Sequence, residues 1–170
     1  MLDEPPHIRP IMRELLVAVL VLSFTLPGCL ERVNDSVNPE QKLFEDTIFV
    51  DEDEHIKLTW TIESPANIKI NLEKLDGPNI DLYTMSELNY EDYKSCAEGD
   101  SEASFNYYYD LSDENTAGTN IEVTVDSGTY VTVIDNTDCG KAKPPDQGST
   151  IPPQSDTNDR SRVQYTITAQ

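Results

Sequence analysis

Carboxylate oxygen is the reactive group this chain holds in greatest supply. It carries 32 acidic residues against 12 basic ones, a formal charge of −20. Several acids fall at segment ends: Asp51 and Asp53 in Asp51-Glu52-Asp53-Glu54, Asp81 near the start of Ile80 to Met85, and Asp135 and Asp138 just past an apolar run. Hard cations need several oxygens converging from separate loops. Asp51, Asp53, Asp81, Asp135 and Asp138 are therefore a candidate calcium set if the strand ends that carry them meet, and solvated carboxylates are the competing reading. No stretch has the spacing of an EF-hand loop.

Nucleophilic chemistry has less to work with. Past residue 28, His55 is the only histidine, and no Gly-x-Ser-x-Gly elbow is present, so a Ser-His-Asp or Cys-His arrangement is disfavoured. His55 sits beside Asp51 to Glu54 and opens an alternating segment, which predicts an exposed residue at a strand edge. Two carboxylates can hydrolyse a glycoside, but 29 acids follow residue 28 and spacing selects no pair among them. The aromatic run Phe105, Tyr107, Tyr108 and Tyr109 offers a stacking surface for a sugar or a partner. On a strand Phe105, Tyr107 and Tyr109 share one face with Tyr108 opposite; three rings filling the core is the alternative.

The same charge excludes a class of partner. A chain this acidic, with no Lys/Arg cluster, repels phosphate backbones, so nucleic acid is not expected. The acids are dispersed rather than gathered in one tail, which suggests a surface kept hydrated in a salt-rich environment, where screening weakens their repulsion.

The elements that must position these groups read as strands. Ile56, Leu58, Trp60 and Ile62 alternate with Lys57, Thr59 and Thr61, and Ile68, Ile70 and Leu72 repeat the pattern. Period two with abundant Ile, Val, Thr and Tyr is the strand signature. Leu43 to Val50, Ile80 to Met85, Phe105 to Leu111, Ile121 to Val125, Thr129 to Ile134 and Val163 to Thr168 bring the set to about eight. Turn residues punctuate them at Asp51 to Glu54, Ser64-Pro65, Asp76-Gly77-Pro78, Asp113 to Gly118 and Asp126-Ser127-Gly128. Val125 and Thr129 flank the last of these, which predicts a hairpin with Gly128 at positive φ. Ser86 to Tyr93 is the one helical stretch, capped by Ser86. Many short strands and no long helix predict an antiparallel β-sandwich.

The N-terminal end predicts export. Arg13 precedes the apolar stretch Leu15 to Leu26, whose twelve residues would rise about 18 Å as a helix against a hydrocarbon layer of about 30 Å. That length favours a signal segment, residues 1–28, over a permanent span. Asp3, Glu4, Pro5 and Pro6 are an unusual signal start, so Met12 is an alternative to Met1. Leu26-Pro27-Gly28-Cys29 resembles a lipobox, which implies lipid on Cys29 and a protein held at the outer face of the cytoplasmic membrane; secretion with a free Cys29 and an uncleaved anchor are the alternatives. Residues 29–41 read as a polar tether, with a glycosylation sequon at Asn34. From Cys29 onward 142 residues remain, enough for one domain, 42–170, with a Pro-rich exposed loop at 141–161. In an oxidising compartment Cys96 and Cys139 are expected to pair, closing a loop that stabilises the fold by roughly 3 to 4 kcal/mol; two buried thiols are the alternative.

Asp81-Leu82-Tyr83, the run Ser127 to Val133 with Asp135 after it, and Tyr165-Thr166-Ile167-Thr168 resemble the DLY, pGTYyvrV and Y-x-l-x-v elements of the bacterial pre-peptidase C-terminal domain. The resemblance covers about Lys57 to Ala169. It implies a jelly-roll-like sandwich of the kind appended to exported enzymes, related in shape to collagen-binding modules. The Cys96/Cys139 pair and the Pro-rich insert stand outside the family's pattern. The expectation is thus a non-catalytic cell-surface lipoprotein that binds an envelope protein or polysaccharide, with no cofactor beyond the candidate calcium. A carbohydrate- or substrate-binding subunit of an exported enzyme or transporter is the alternative, and a small secreted hydrolase the third reading.

Overall fold

Alternation along each segment decides which side chains meet. In the computed structural model, which describes residues 39–100, 102–144 and 159–170, the strands are β1 (Gln41–Val50), β2 (Glu54–Ile62), β3 (Ala66–Asp76), β4 (Ile80–Met85), β5 (Asp113–Thr116), β6 (Gly118–Val125), β7 (Gly128–Asn136) and β8 (Ser161–Ala169), with helix α1 (Glu87–Ala97) between β4 and β5. The signal segment, Cys29, Asn34, most of the tether and the middle of the Pro-rich loop, 145–158, lie outside the described residues. Pro39–Gln170 forms one unit.

Two four-stranded sheets, ordered β1-β8-β3-β6 and β2-β7-β4-β5, face each other, and every pairing is antiparallel. Each connection except that from β4 to β5 crosses between sheets. That order is an eight-stranded jelly roll. Ile68, Ile70, Leu72, Val163 and Ile167 from one sheet close on Leu58, Trp60, Ile62, Leu82 and Ile134 from the other. Trp60 stacks on its cross-strand partner Tyr130 at 4.5 Å and donates its indole N–H to Thr132 Oγ1 at 3.0 Å, so the ring's polar atom is satisfied inside the core.

The structure corrects four expectations about individual segments. The first concerns the Asp126-Ser127-Gly128 turn: β6 pairs with β3 and β7 with β2, so no hairpin forms. Ile62 opposes Gly128 and Ala66 opposes Val125, which means β2-β3 and β6-β7 run together as a ribbon bent over the edge of the sandwich. Second, Gly128 is not among the residues at positive φ; an added Cβ would touch the Tyr130 ring at 3.5 Å. Third, Phe105 to Leu111 is not a strand. It is an extended segment ending in a 3-10 turn at Tyr109–Leu111, while the supposed turn Asp113 to Gly118 contributes β5 and the start of β6. Fourth, the described ends of the Pro-rich segment are not all exposed. Ala142 is buried, its N–H and that of Lys141 bond Asp81 Oδ2, and Ser161 already belongs to β8.

A second apolar cluster lies on the outer face of sheet β2-β7-β4-β5. Tyr83 and Met85 of β4 and Val131 and Val133 of β7 meet Tyr90 and Tyr93 of α1, with Phe105 and Tyr107 packed alongside. Along β7 Tyr130, Thr132 and Ile134 alternate with Val131, Val133 and Asp135. All of them are buried, because this sheet is covered on both sides.

Candidate functional site

The outer layer begins with helix α1. Ser86 Oγ accepts from Asn89 N–H at 3.2 Å, capping the helix as the sequence predicted, with Glu87 in the first turn where the helix end favours an anion. The helix runs four residues past Tyr93, far enough to carry Cys96 into a disulfide with Cys139 beyond β7. Tyr90 and Tyr93, one turn apart, face the sheet.

Under the helix lies a row of polar groups across three strands. His55 of β2 opposes Asp135 of β7, which opposes Asp81 of β4. Asp81 accepts from Asn115 N–H at 2.6 Å on Oδ1 and from the N–H groups of Lys141 and Ala142 at 2.7 and 2.9 Å on Oδ2, so one carboxylate ties β5 and the loop after β7 to β4. Gly140 makes that approach possible, since a Cβ there would fall 1.8 Å from Asp81 Oδ2. Asp135 Oδ1 accepts from Tyr93 OH at 2.7 Å and Thr137 N–H at 3.0 Å, and Oδ2 is buried without a partner. Burial, partly offset by these bonds, pushes the Asp135 carboxyl up to about 6, and desolvation likewise raises Asp81.

His55 is half-buried rather than exposed. Its Nε2 lies 3.1 Å from Tyr90 OH, and its ring packs edge-on to Tyr93 at 5.1 Å; desolvation lowers its pKa. Its observed contacts are those of a packing residue.

The arch after β1 does meet the end of β7: Asp53 N–H bonds Asn136 O at 3.0 Å. The carboxylates do not converge with it. Among the described residues no three His, Cys, Asp or Glu side chains form a metal-holding group, and the oxygens of Asp81 already accept three backbone N–H groups. Of the five acids proposed from sequence, Asp81 and Asp135 are neighbours and Asp138 is exposed two residues beyond β7. Among the described residues these five carboxylates are not gathered at one point.

The tyrosine run builds the open part of this layer. Short β5 opposes β4 only as far as Leu82, so the edge of Thr84 needs other partners: Tyr108 N–H donates to Thr84 O at 2.7 Å, and Thr84 N–H donates to Ser112 Oγ at 2.9 Å. Docked this way, the extended segment points alternate rings apart. Tyr107 packs on Tyr83 at 4.9 Å, and Tyr108 turns the other way against Tyr130 at 5.5 Å. The shared face of Phe105, Tyr107 and Tyr109 expected from sequence is present, but Tyr109 is 79% exposed, so the three do not all fill the core.

Tyr107, Tyr109, Ser112, Asp113 and Glu114 line a groove. The two rings are nearly parallel, 20° apart in plane with centroids 6.3 Å apart. Glu114 Oε1 accepts from both Tyr107 OH at 3.1 Å and Tyr83 OH at 3.3 Å. Sequence patterning missed Glu114 because it lay in a supposed turn, and missed Tyr83 because a DLY strand gives no sign of which face is covered. A four-residue edge strand next to four aromatics is the signal that was available.

Among the described residues no helix is long and apolar enough to cross a membrane. No protein-family model matches the chain, and no curated protein matches it. Among solved structures the chain is similar to the pre-peptidase C-terminal domain of a collagenase from Bacillus anthracis, at 13% identity over 75% of this chain and 90% of that one, with a TM-score of 0.39. The jelly roll itself is established by this chain's own hydrogen-bonded ladders.

Proposed function

We propose that the chain is an exported, non-catalytic binding module, held at the outer face of the cytoplasmic membrane by lipid on Cys29, with the Tyr107–Glu114 groove as its ligand surface. One observation carries the reading: a fully buried scaffold of Tyr83, Tyr93 and Val133 supports a groove whose outer wall, Tyr109, stands in solvent. Large exposed aromatics on a rigid base are the residues that anchor partners. The Cys96–Cys139 disulfide supports an oxidising compartment, and the ligand is an envelope protein or polysaccharide.

The test is sedimentation of the full chain with isolated cell-envelope fragments, comparing the unmutated protein with Tyr109→Ala and with Gln164→Ala on the opposite face. Loss of co-sedimentation with Tyr109→Ala alone supports the reading; equal binding by all three overturns it. Cys29→Ser should release the protein from membranes into the soluble fraction, and continued membrane retention would contradict the anchor.

A further inference from the structure

The groove is rich in hydrogen-bond acceptors. Tyr107 OH and Tyr83 OH both donate to Glu114 Oε1, so these hydroxyl protons are already committed. Ser112 Oγ donates to Tyr108 O at 2.9 Å and accepts from Thr84 N–H. The side-chain groups left to a ligand are the carboxylates of Asp113 and Glu114, the Tyr109 hydroxyl and the faces of the two tyrosine rings. Among the described residues neither Asp113 nor Glu114 forms an ion pair. Two carboxylates beside two ring faces suit a positive charge, since ring faces are electronegative and carboxylates only accept.

The molecule already shows this chemistry elsewhere. Lys57 Nζ sits 3.8 Å from the centroid of the Tyr90 ring, and the Arg160 guanidinium lies 4.4 Å from that of Phe49. At the groove the ring faces and carboxylates are present and the cation is not supplied by the described part of the chain. The formal charge of −20 draws positive ligands toward the surface and speeds their encounter.

We propose that the groove of Tyr107, Tyr109, Asp113 and Glu114 binds an organic cation, the ammonium or guanidinium group that a lysine or arginine side chain carries. This rests on the groove being the ligand surface and adds the chemical class of the ligand. Ring stacking and charge act together: Tyr109 supplies the face and Glu114 the counter-charge.

The test is a titration of the full chain, followed by the ring resonances of its tyrosines, with N-acetyl-arginine amide and with N-acetyl-citrulline amide, its neutral isostere. The arginine compound is expected to shift Tyr107 and Tyr109 and to bind about tenfold more tightly than the citrulline compound, with Tyr109→Ala and Glu114→Gln each weakening it about five- to thirtyfold. Tyr109 is exposed, so its alanine variant keeps the fold; glutamine keeps an oxygen for the two tyrosine hydroxyls while removing the charge. Equal binding of the two compounds, shifts scattered over the acidic surface, or indifference to Tyr109→Ala would overturn the proposal. A Gly-Arg-Gly peptide binding more tightly than the amide assigns the cation to a peptide, and equal binding to a free small molecule. If envelope binding depends on Tyr109 but the arginine compound does not bind, the cation class falls and the groove stands; if Tyr109→Ala changes neither, both fall.

Discussion

On sheet β1-β8-β3-β6 the outward side chains Asn71, Glu73 and Gln164 are open to solvent; on β2-β7-β4-β5 the outward side chains Tyr83, Met85, Val131 and Val133 lie beneath a helix and a run of tyrosines. Both sheets have the same strand number and share one inner core, so the difference is what covers the outside. The bare face keeps the alternation of a half-solvated sheet. The covered face carries the disulfide, the buried carboxylates and the Tyr107–Glu114 groove on a layer added to the roll.

Truncation at each face breaks or sharpens that contrast. The largest effect is expected from Tyr93→Ala, which empties a site with no solvent exposure and leaves Asp135 without its hydroxyl donor. It should cost about 3–5 kcal/mol in urea denaturation. Replacing Cys96 and Cys139 by serine should cost roughly 3 to 4 kcal/mol, from the loop-closure entropy of a 43-residue separation, read as a lower midpoint that reductant reproduces in the unmutated chain.

The pH dependence tests the buried row. Asp135 in the folded chain holds its proton up to about 6, against an ordinary value of 3.8, so the folded state binds the proton more tightly than the unfolded one. Its contribution is therefore fully favourable below the unfolded value and is lost as pH rises through about 6, a change of about 3 kcal/mol across that window. Asp81 is raised by the same cause and acts in the same direction. Asp135→Asn should flatten the slope between pH 4 and about 6 in thermal melts; an unchanged slope would mean the row does not control it.

Smaller effects belong to the surface. Among the described residues the ion pairs Lys42–Glu45, Lys69–Glu122 and Lys94–Glu98 engage few of the acids, so the melting temperature should rise from dilute buffer to about 1 M salt, where the Debye length falls to about 3 Å. Gln164→Ala on the bare face should stay within about 0.5 kcal/mol; a cost comparable to that of Tyr93→Ala would erase the contrast between the two faces.

What was legible in the sequence follows the same division. The alternation of Ile56 to Ile62 and Ile68 to Leu72 reports one buried face, and those strands form where the pattern puts them. Ser86 announces its helix because a cap is a local bond. Asp126-Ser127-Gly128 marks a reversal but not a partner, since a bend across the sandwich and a hairpin use the same turn residues. β4 and β7 lose alternation because both their faces are covered, which a period-two pattern cannot express. Glu114 stayed hidden in a polar stretch whose strand character comes from pairing with β4 rather than from its own residues.

Hydrogen exchange of the full chain, with and without isolated envelope fragments, tests the central claim most directly. The account predicts added protection across Tyr107 to Glu114 and none at Asn71, Glu73 or Gln164. Protection confined to the bare sheet, with the tyrosine segment unchanged, would contradict it.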